Sequence, residues 1–215
     1  EKLKPSGVDL ETLRKNPGGV QLPLQTTYKK YAGQGRANAP GFNTPSKKVE
    51  LYSETFMRHG YAPLPEYVEP GMGVVDKSGL AKNFPLILTS AKSPRYLGSQ
   101  GRAVPALRRI EPEPRLEMHP DTAASRGIQS GDRVALVTPH GELRVTAKFS
   151  PNLHPNVVVG IHGWWQESRA LSLAGYDPLS GDGANLNAAF ANETIDPIDG
   201  AAPHKSYACQ VRALD

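Results

Sequence analysis

Cysteine is almost missing from this chain of 215 residues, which carries one, Cys209. A single thiol excludes an internal disulfide framework and any cluster or zinc site held by several cysteines of this sequence. Aromatic residues are sparse at 7%, and no run of about 18 apolar residues occurs, so no segment has the length of a membrane-spanning helix. The N-terminal Glu1-Lys2-Leu3-Lys4-Pro5 lacks the apolar stretch of a signal peptide and reads as a start in mid-protein. Cytoplasm and periplasm therefore both stay open. The usual catalytic signatures are missing too. His59, His119, His140, His154, His162 and His204 show no His-x-x-x-His spacing, and there is no Gly-x-Ser-x-Gly, Walker loop or dinucleotide glycine fingerprint. No catalytic residue and no metal ligand is expected from this chain. A net charge of +4 is too mild to imply nucleic acid by itself.

Proline and glycine, by contrast, are plentiful, with 20 and 21 copies. They predict turns and short strands rather than long helices. Residues 1–80 carry little core: a short helix over Val8–Lys15 stopped by Asn16-Pro17, a short strand over Lys48–Tyr52, and an extended linker from Ala62 to Gly73. At Phe84 the texture changes. Phe84–Thr89 is a continuous apolar run of the kind buried on both faces. Pro120–Gly127 reads as one short helix with proline in its first turn. Arg133–Thr138 and Glu142–Phe149 form a hairpin around Pro139-His140-Gly141, and Val157–Ile161 and Tyr207–Val211 add two more strands. Short strands, a small helix and long crossing loops predict a closed β-barrel rather than a doubly wound sheet.

Two segments invite a ligand. Both tryptophans sit together as Trp164-Trp165, directly after the strand ending at Ile161. Beyond them lie roughly forty residues rich in Gly, Asp, Ser, Asn and Pro, far longer than the usual loop of a compact domain. Paired indoles followed by amides either plug a core or line a site for a large, flat, polar ligand. The loop from Thr89 to Arg102 carries hydroxyls, cations and glycines, the groups a phosphate needs, and a solvated basic loop has the same composition. More widely, Lys92, Arg95, Arg102, Arg108, Arg109 and Arg115 cluster against only Glu111 and Glu113. Cys209, inside a strand-like run, reads as a small buried hydrophobe.

The order of several motifs resembles one family. Thr89-Ser90-Ala91-Lys92-Ser93 with Tyr96 and Ser99-Gln100, Val104-Pro105-Ala106-Leu107-Arg108, Glu117-Met118-His119-Pro120-Asp121, Arg126-Gly127-Ile128 and Gly131-Asp132-Arg133-Val134 resemble the C-terminal domain of molybdopterin oxidoreductases of the dimethyl sulfoxide reductase family. His162-Gly163-Trp164-Trp165, Asn185-Leu186-Asn187 and Lys205-Ser206-Tyr207 continue the resemblance, and Phe42–Ser53 is similar to the segment that closes the family's catalytic region. The resemblance implies a mainly β fold, a six-stranded double-psi β-barrel with short helices over residues 81–215, preceded by an extended irregular N-terminal segment. Residues 1–80 would then be the tail of a catalytic region and a linker.

It further implies a cap over molybdopterin guanine dinucleotide with Mo or W, one pterin dinucleotide being touched by this domain. The implied cofactor-binding residues are Thr89, Ser90, Lys92, Ser93, Tyr96, Ser99, Gln100, His162, Trp165, Asn185, Asn187 and Lys205. The implied partners are upstream domains of the same polypeptide, which would hold the metal ligand and iron–sulfur cysteines, and an electron-transfer subunit. No activity is expected from this chain alone. Two positions depart from the family pattern: Lys47 replaces a glycine, and His119 replaces an asparagine before Pro120. The alternative, from a different class, is a free-standing β-barrel module that binds nucleotide or nucleic acid through its basic loop.

Overall fold

The computed structural model describes residues 3–22, 28–34, 39–67, 79–178, 184–191, 195–202 and 205–214. The chain forms two compact units, residues 1–66 and 67–215. In the first, α1 (Leu10–Lys15) begins where the Asp9 side chain accepts the Thr12 N–H at 2.7 Å and ends at Asn16. A second short helix, α2 (Glu54–Arg58), is capped in the same way by Ser53. No described residue of this unit is buried. The expected strand over Lys48–Tyr52 does not form, and Val49 and Leu51 are 65% and 80% exposed. Local bonds take its place: the Thr44 hydroxyl donates to the Lys48 carbonyl, and the Glu50 carboxylate accepts the Ser46 N–H. Two alternating apolar residues are too few to recruit a neighbouring strand. Lys47 adopts φ = 59°, the left-handed backbone that glycine would take there without strain. Of the expected linker Ala62–Gly73, residues 68–73 lie outside the described residues.

The second unit is a closed six-stranded barrel. Its strands are β1 (Leu86–Ala91), β2 (Arg115–Met118), β3 (Arg133–Thr138), β4 (Gly141–Phe149), β5 (Val157–Ile161) and β6 (Tyr207–Ala213), arranged β1-β5-β2-β4-β3-β6. β1 with β5 and β2 with β4 are parallel, and the other pairs are antiparallel. The strand reading from periodicity missed β2. Its four residues are too few to display a clear period, yet Leu116 and Met118 both reach the core while Arg115 and Glu117 face outward. Nor is β1 fully buried on both faces. Leu86 and Leu88 enter the core, whereas Ile87 and Thr89 stay half-exposed, because a barrel has only one interior face per strand.

Two short helices brace the barrel, α3 (Pro105–Ile110) and α4 (Pro120–Ala124). At the start of α4 the imidazole of His119 accepts the Asp121 N–H at 3.1 Å, so the histidine does the N-capping work suited to an asparagine. The core gathers Leu88, Leu116, Met118, Val134, Leu136, Leu143, Val158 and Val211. Cys209 is buried in β6 opposite Leu86, where burial pushes its thiol well above the ordinary range.

Three measurements check this arrangement in the 215-residue chain. Met118→Ala should cost about 2–5 kcal/mol of stability by urea unfolding, as a buried methionine truncation does. Leu51→Ala should change it by less than about 0.5 kcal/mol, as surface substitutions do. Cys209 should resist alkylation in the folded state and react once urea unfolds the barrel.

Candidate functional site

The parallel pairing of β1 and β5, with Ser90 beside Gly160 and Ala91 beside Ile161, sends the chain out of both strands at the same rim. The loop after β1 and the segment His162–Trp165 therefore meet. β6 runs antiparallel to β1, pairing Leu88 with Tyr207, so the residues just before β6 reach that rim as well. There the Lys205 ammonium donates to the Ser90 carbonyl. A 3-10 turn, Leu186–Ala189, closes the rim. Asn185 starts this turn by accepting the Asn187 N–H, and its own amide donates to the Pro178 carbonyl at 2.6 Å. The Thr138 hydroxyl holds the far end through the Ala189 carbonyl at 2.7 Å. Gly141 makes this approach possible, because a Cβ there would fall 2.1 Å from the Ala188 oxygen.

These segments enclose a cleft of about 370 Å3 lined by Ser90, Lys92, Ser99, His162, Trp165, Asn185, Asn187 and Lys205, together with Gly163, Leu186 and Phe190. Among the described residues two ammonium groups line it, and no carboxylate does. Hydroxyls and a carboxamide supply hydrogen bonds, and Trp165 and Phe190 supply ring surface. Such a surface is chemically suited to an anion that also carries a flat, polar ring. Lys92 also borders a second depression of about 370 Å3, where Arg95, Arg115 and Lys148 stand with Glu111 and Glu117.

The structure separates the remaining expected site residues from the cleft. Thr89 pairs with Val159 within the barrel wall, and Gln100 is exposed at a turn whose N–H returns to the Leu97 carbonyl. Ser93 and Tyr96 are buried under the loop. The Ser93 hydroxyl donates to the Glu111 carboxylate at 2.6 Å, and the Tyr96 hydroxyl donates to the Glu111 carbonyl at 2.7 Å. Burial, and the Glu111 charge after it, raise the Tyr96 phenol above its ordinary value. The two tryptophans divide the two roles left open by the sequence: Trp164 is 1% exposed in the core, and Trp165 lines the cleft.

The basic cluster is not one surface. Arg102 and Arg108 are buried, with their guanidinium carbons 4.8 Å from the Trp164 ring centre, and Arg102 also stacks at 4.5 Å over Tyr96. Burial lowers the Arg102 pKa from its ordinary value by desolvating the charged form. Nothing in sequence spacing separates such interior arginines from their solvated neighbours Arg95 and Arg109. The expected cofactor-binding residues did not include Gly163, Leu186 and Phe190, which carry no distinctive chemistry of their own. Among the described residues no group of three or more His, Cys, Asp or Glu could hold a metal ion, and no helix is long and apolar enough to cross a membrane.

The split between the tryptophans is testable. Trp164→Ala should cost about 3–5 kcal/mol of stability, in line with other buried aromatic truncations. Trp165→Ala should cost a small fraction of that, measured by the same urea titration. Equal losses would place both rings in the core.

Residues 86–208 match the family described as Molydopterin dinucleotide binding domain. Acetylene hydratase of Syntrophotalea acetylenica is 34% identical over 166 residues, 76% of this chain and 22% of that protein. Dopamine dehydroxylase of Eggerthella lenta is 36% identical over 140 residues, 62% of this chain and 14% of that protein. Dimethyl sulfoxide reductase DmsA of Escherichia coli is 30% identical over 153 residues, 66% of this chain and 18% of that protein. The solved acetylene hydratase from Pelobacter acetylenicus superposes with a TM-score of 0.74 at 27% identity, covering 99% of this chain and 28% of that one. This chain thus spans about one fifth of the length of such relatives. The chain belongs to the molybdopterin dinucleotide-binding domain family, as found in molybdoenzymes of the dimethyl sulfoxide reductase family.

Proposed function

We propose that this chain is the cofactor-capping part of a molybdenum or tungsten oxidoreductase and covers one molybdopterin guanine dinucleotide with the rim of its barrel. The observation that supports the reading is the convergence of separate chain segments on a cleft whose described lining holds two lysines and no carboxylate. A doubly charged diphosphate between two flat heterocycles matches that donor set. Lys92 and Lys205 would face the diphosphate. Lys205 spends one N–H on Ser90, and an ammonium has three, so it can still meet an anion. The Asn187 carboxamide would pair with the edge of a heterocycle, and Trp165 would offer its ring to the face. Ser90, Ser99 and His162 would add polar contacts. Asn185 acts through the turn it caps.

When bound, the pterin dinucleotide carries the metal through which oxidation or reduction proceeds. The part played by this chain is to hold and orient it and to exclude water from one side. Upstream domains would supply the metal ligand and the iron–sulfur cysteines, and an electron-transfer subunit would complete the assembly. Residues 1–80 fit the tail of such a catalytic region and its linker. The two parallel strand pairs of the barrel support a double-psi path. The relatives are named as a hydratase, a dehydroxylase and a reductase, so the choice of reaction would lie outside the domain they have in common with this chain.

Cofactor content tests this reading. In the full-length enzyme, Lys205→Ala and Asn187→Ala should each weaken cofactor retention by roughly 10- to 100-fold, the effect of losing one hydrogen bond to a charged group. Cys209→Ala should lower stability and leave retention unchanged. Normal metal and pterin content in both site variants would refute the assignment. The 215-residue chain alone should show no turnover with any donor–acceptor pair, and detectable turnover would overturn it.

A further inference from the structure

We propose that Arg102 is a positioning residue that latches the two walls of the cleft together, the loop after β1 and the segment His162–Trp165. The inference rests on the reading that this cleft receives the pterin dinucleotide. Arg102 is 0% exposed, yet it forms no ion pair among the described residues. Its planar fork reaches in two directions instead. One terminal nitrogen donates to the Gly98 carbonyl at 2.9 Å, and the other donates to the His162 carbonyl at 2.6 Å. The first acceptor belongs to the loop after β1, and the second lies 60 positions beyond Arg102. Both strands deliver their exits to the same rim, but strand pairing ends at Ala91 and Ile161. Beyond that point the guanidinium supplies hydrogen bonds that the sheet no longer does.

The packing around the fork makes it a rigid spacer. Tyr96 and Trp164 meet edge to face at 5.8 Å, and the Arg102 guanidinium lies over both rings. Gly163 completes the junction from the other side. A Cβ on Gly163 would fall 2.7 Å from the Ser99 Cα and 3.1 Å from an Arg102 terminal nitrogen, and the residue has φ = 85°. The two walls therefore touch backbone to backbone at Ser99 and Gly163, held there by the arginine behind them. Ser99, His162 and Gly163 all border the cleft. A shift at this junction changes the width of the mouth and displaces Ser99 and His162, although Arg102 itself does not line the cleft. A lysine keeps the charge but has no planar fork, so it cannot bridge the two carbonyls with the same geometry.

The experiment uses the full-length protein with its cofactor. Arg102→Lys should raise the rate of pterin dinucleotide release at least about tenfold, the scale of one lost charged hydrogen bond. Gly163→Ala, which disturbs the same junction by bulk, should raise it as well. Val134→Ala removes packing from a core position that does not line the cleft. It should lower Tm while leaving release unchanged when the variants are compared at equal distances below their own Tm. Release from Arg102→Lys and Gly163→Ala at the Val134→Ala rate would overturn the latch. Hydrogen exchange on cofactor-free protein gives a second readout. Arg102→Lys should speed exchange of residues 97–102 and 162–165 together, with β3 unaffected, and failure of the two segments to loosen together would also overturn it. Wild-type protein that retains no pterin dinucleotide would defeat the cofactor reading instead, and the exchange measurement would still decide the latch.

Discussion

The parallel pairing of β1 with β5 is the constraint on which the candidate site depends. Two parallel neighbours leave the sheet at the same end, so a loop from residue 92 onward and a segment from residue 162 onward emerge side by side. Antiparallel pairing of β6 with β1 and β3 then brings Lys205 and the turn at Thr138 to that rim. Residues separated by more than a hundred positions thereby become neighbours, as the contact between Lys205 and Ser90 records. A barrel closed on itself leaves no free sheet edge, and its interior is filled by side chains. The place left for a ligand is the rim.

Below that rim, charge and ring surface are used as structural material. Arg102 and Arg108 sit in the interior without a salt bridge among the described residues, supported by carbonyl oxygens and by the ring of Trp164. An unpaired buried charge is costly unless its hydrogen-bonding groups are met. Carbonyls from irregular loops, which have no sheet partner, are suited to meeting them. The loops thereby gain donors and the arginines gain acceptors, for both terminal nitrogens of Arg102 though not for its Nε. The arrangement also leaves the Lys92 and Lys205 ammonium groups as the cleft's charges among the described residues.

This division of labour accords with a domain found in proteins named for different reactions. A rim that holds a dinucleotide, as proposed, would contribute affinity and orientation, which are indifferent to the substrate turned over. The exposed apolar side chains of residues 1–66, including Leu51, Phe56 and Met57, belong to a unit with no buried residue among those described. That unit gains little from its own packing.

The sequence by itself determined the barrel class, because alternating and continuous apolar runs report which side chains leave water, and β3, β4, β5 and β6 all carry such runs. It also determined that Lys92, His162, Trp165, Asn187 and Lys205 were worth watching, since their chemistry and motif order are written in one dimension. The strand β2 escaped because four residues do not establish a period, and the false strand at 48–52 arose because two apolar residues imitate one. Only the tertiary structure decided which indole entered the core and which faced the cleft. Adjacent residues leaving a strand have no fixed alternation once pairing ends. Only the tertiary structure, again, turned Arg102 from a member of a basic loop into an interior brace. A guanidinium is buried when carbonyls from distant segments happen to converge on it, and that convergence is set by strand order, which no local pattern encodes.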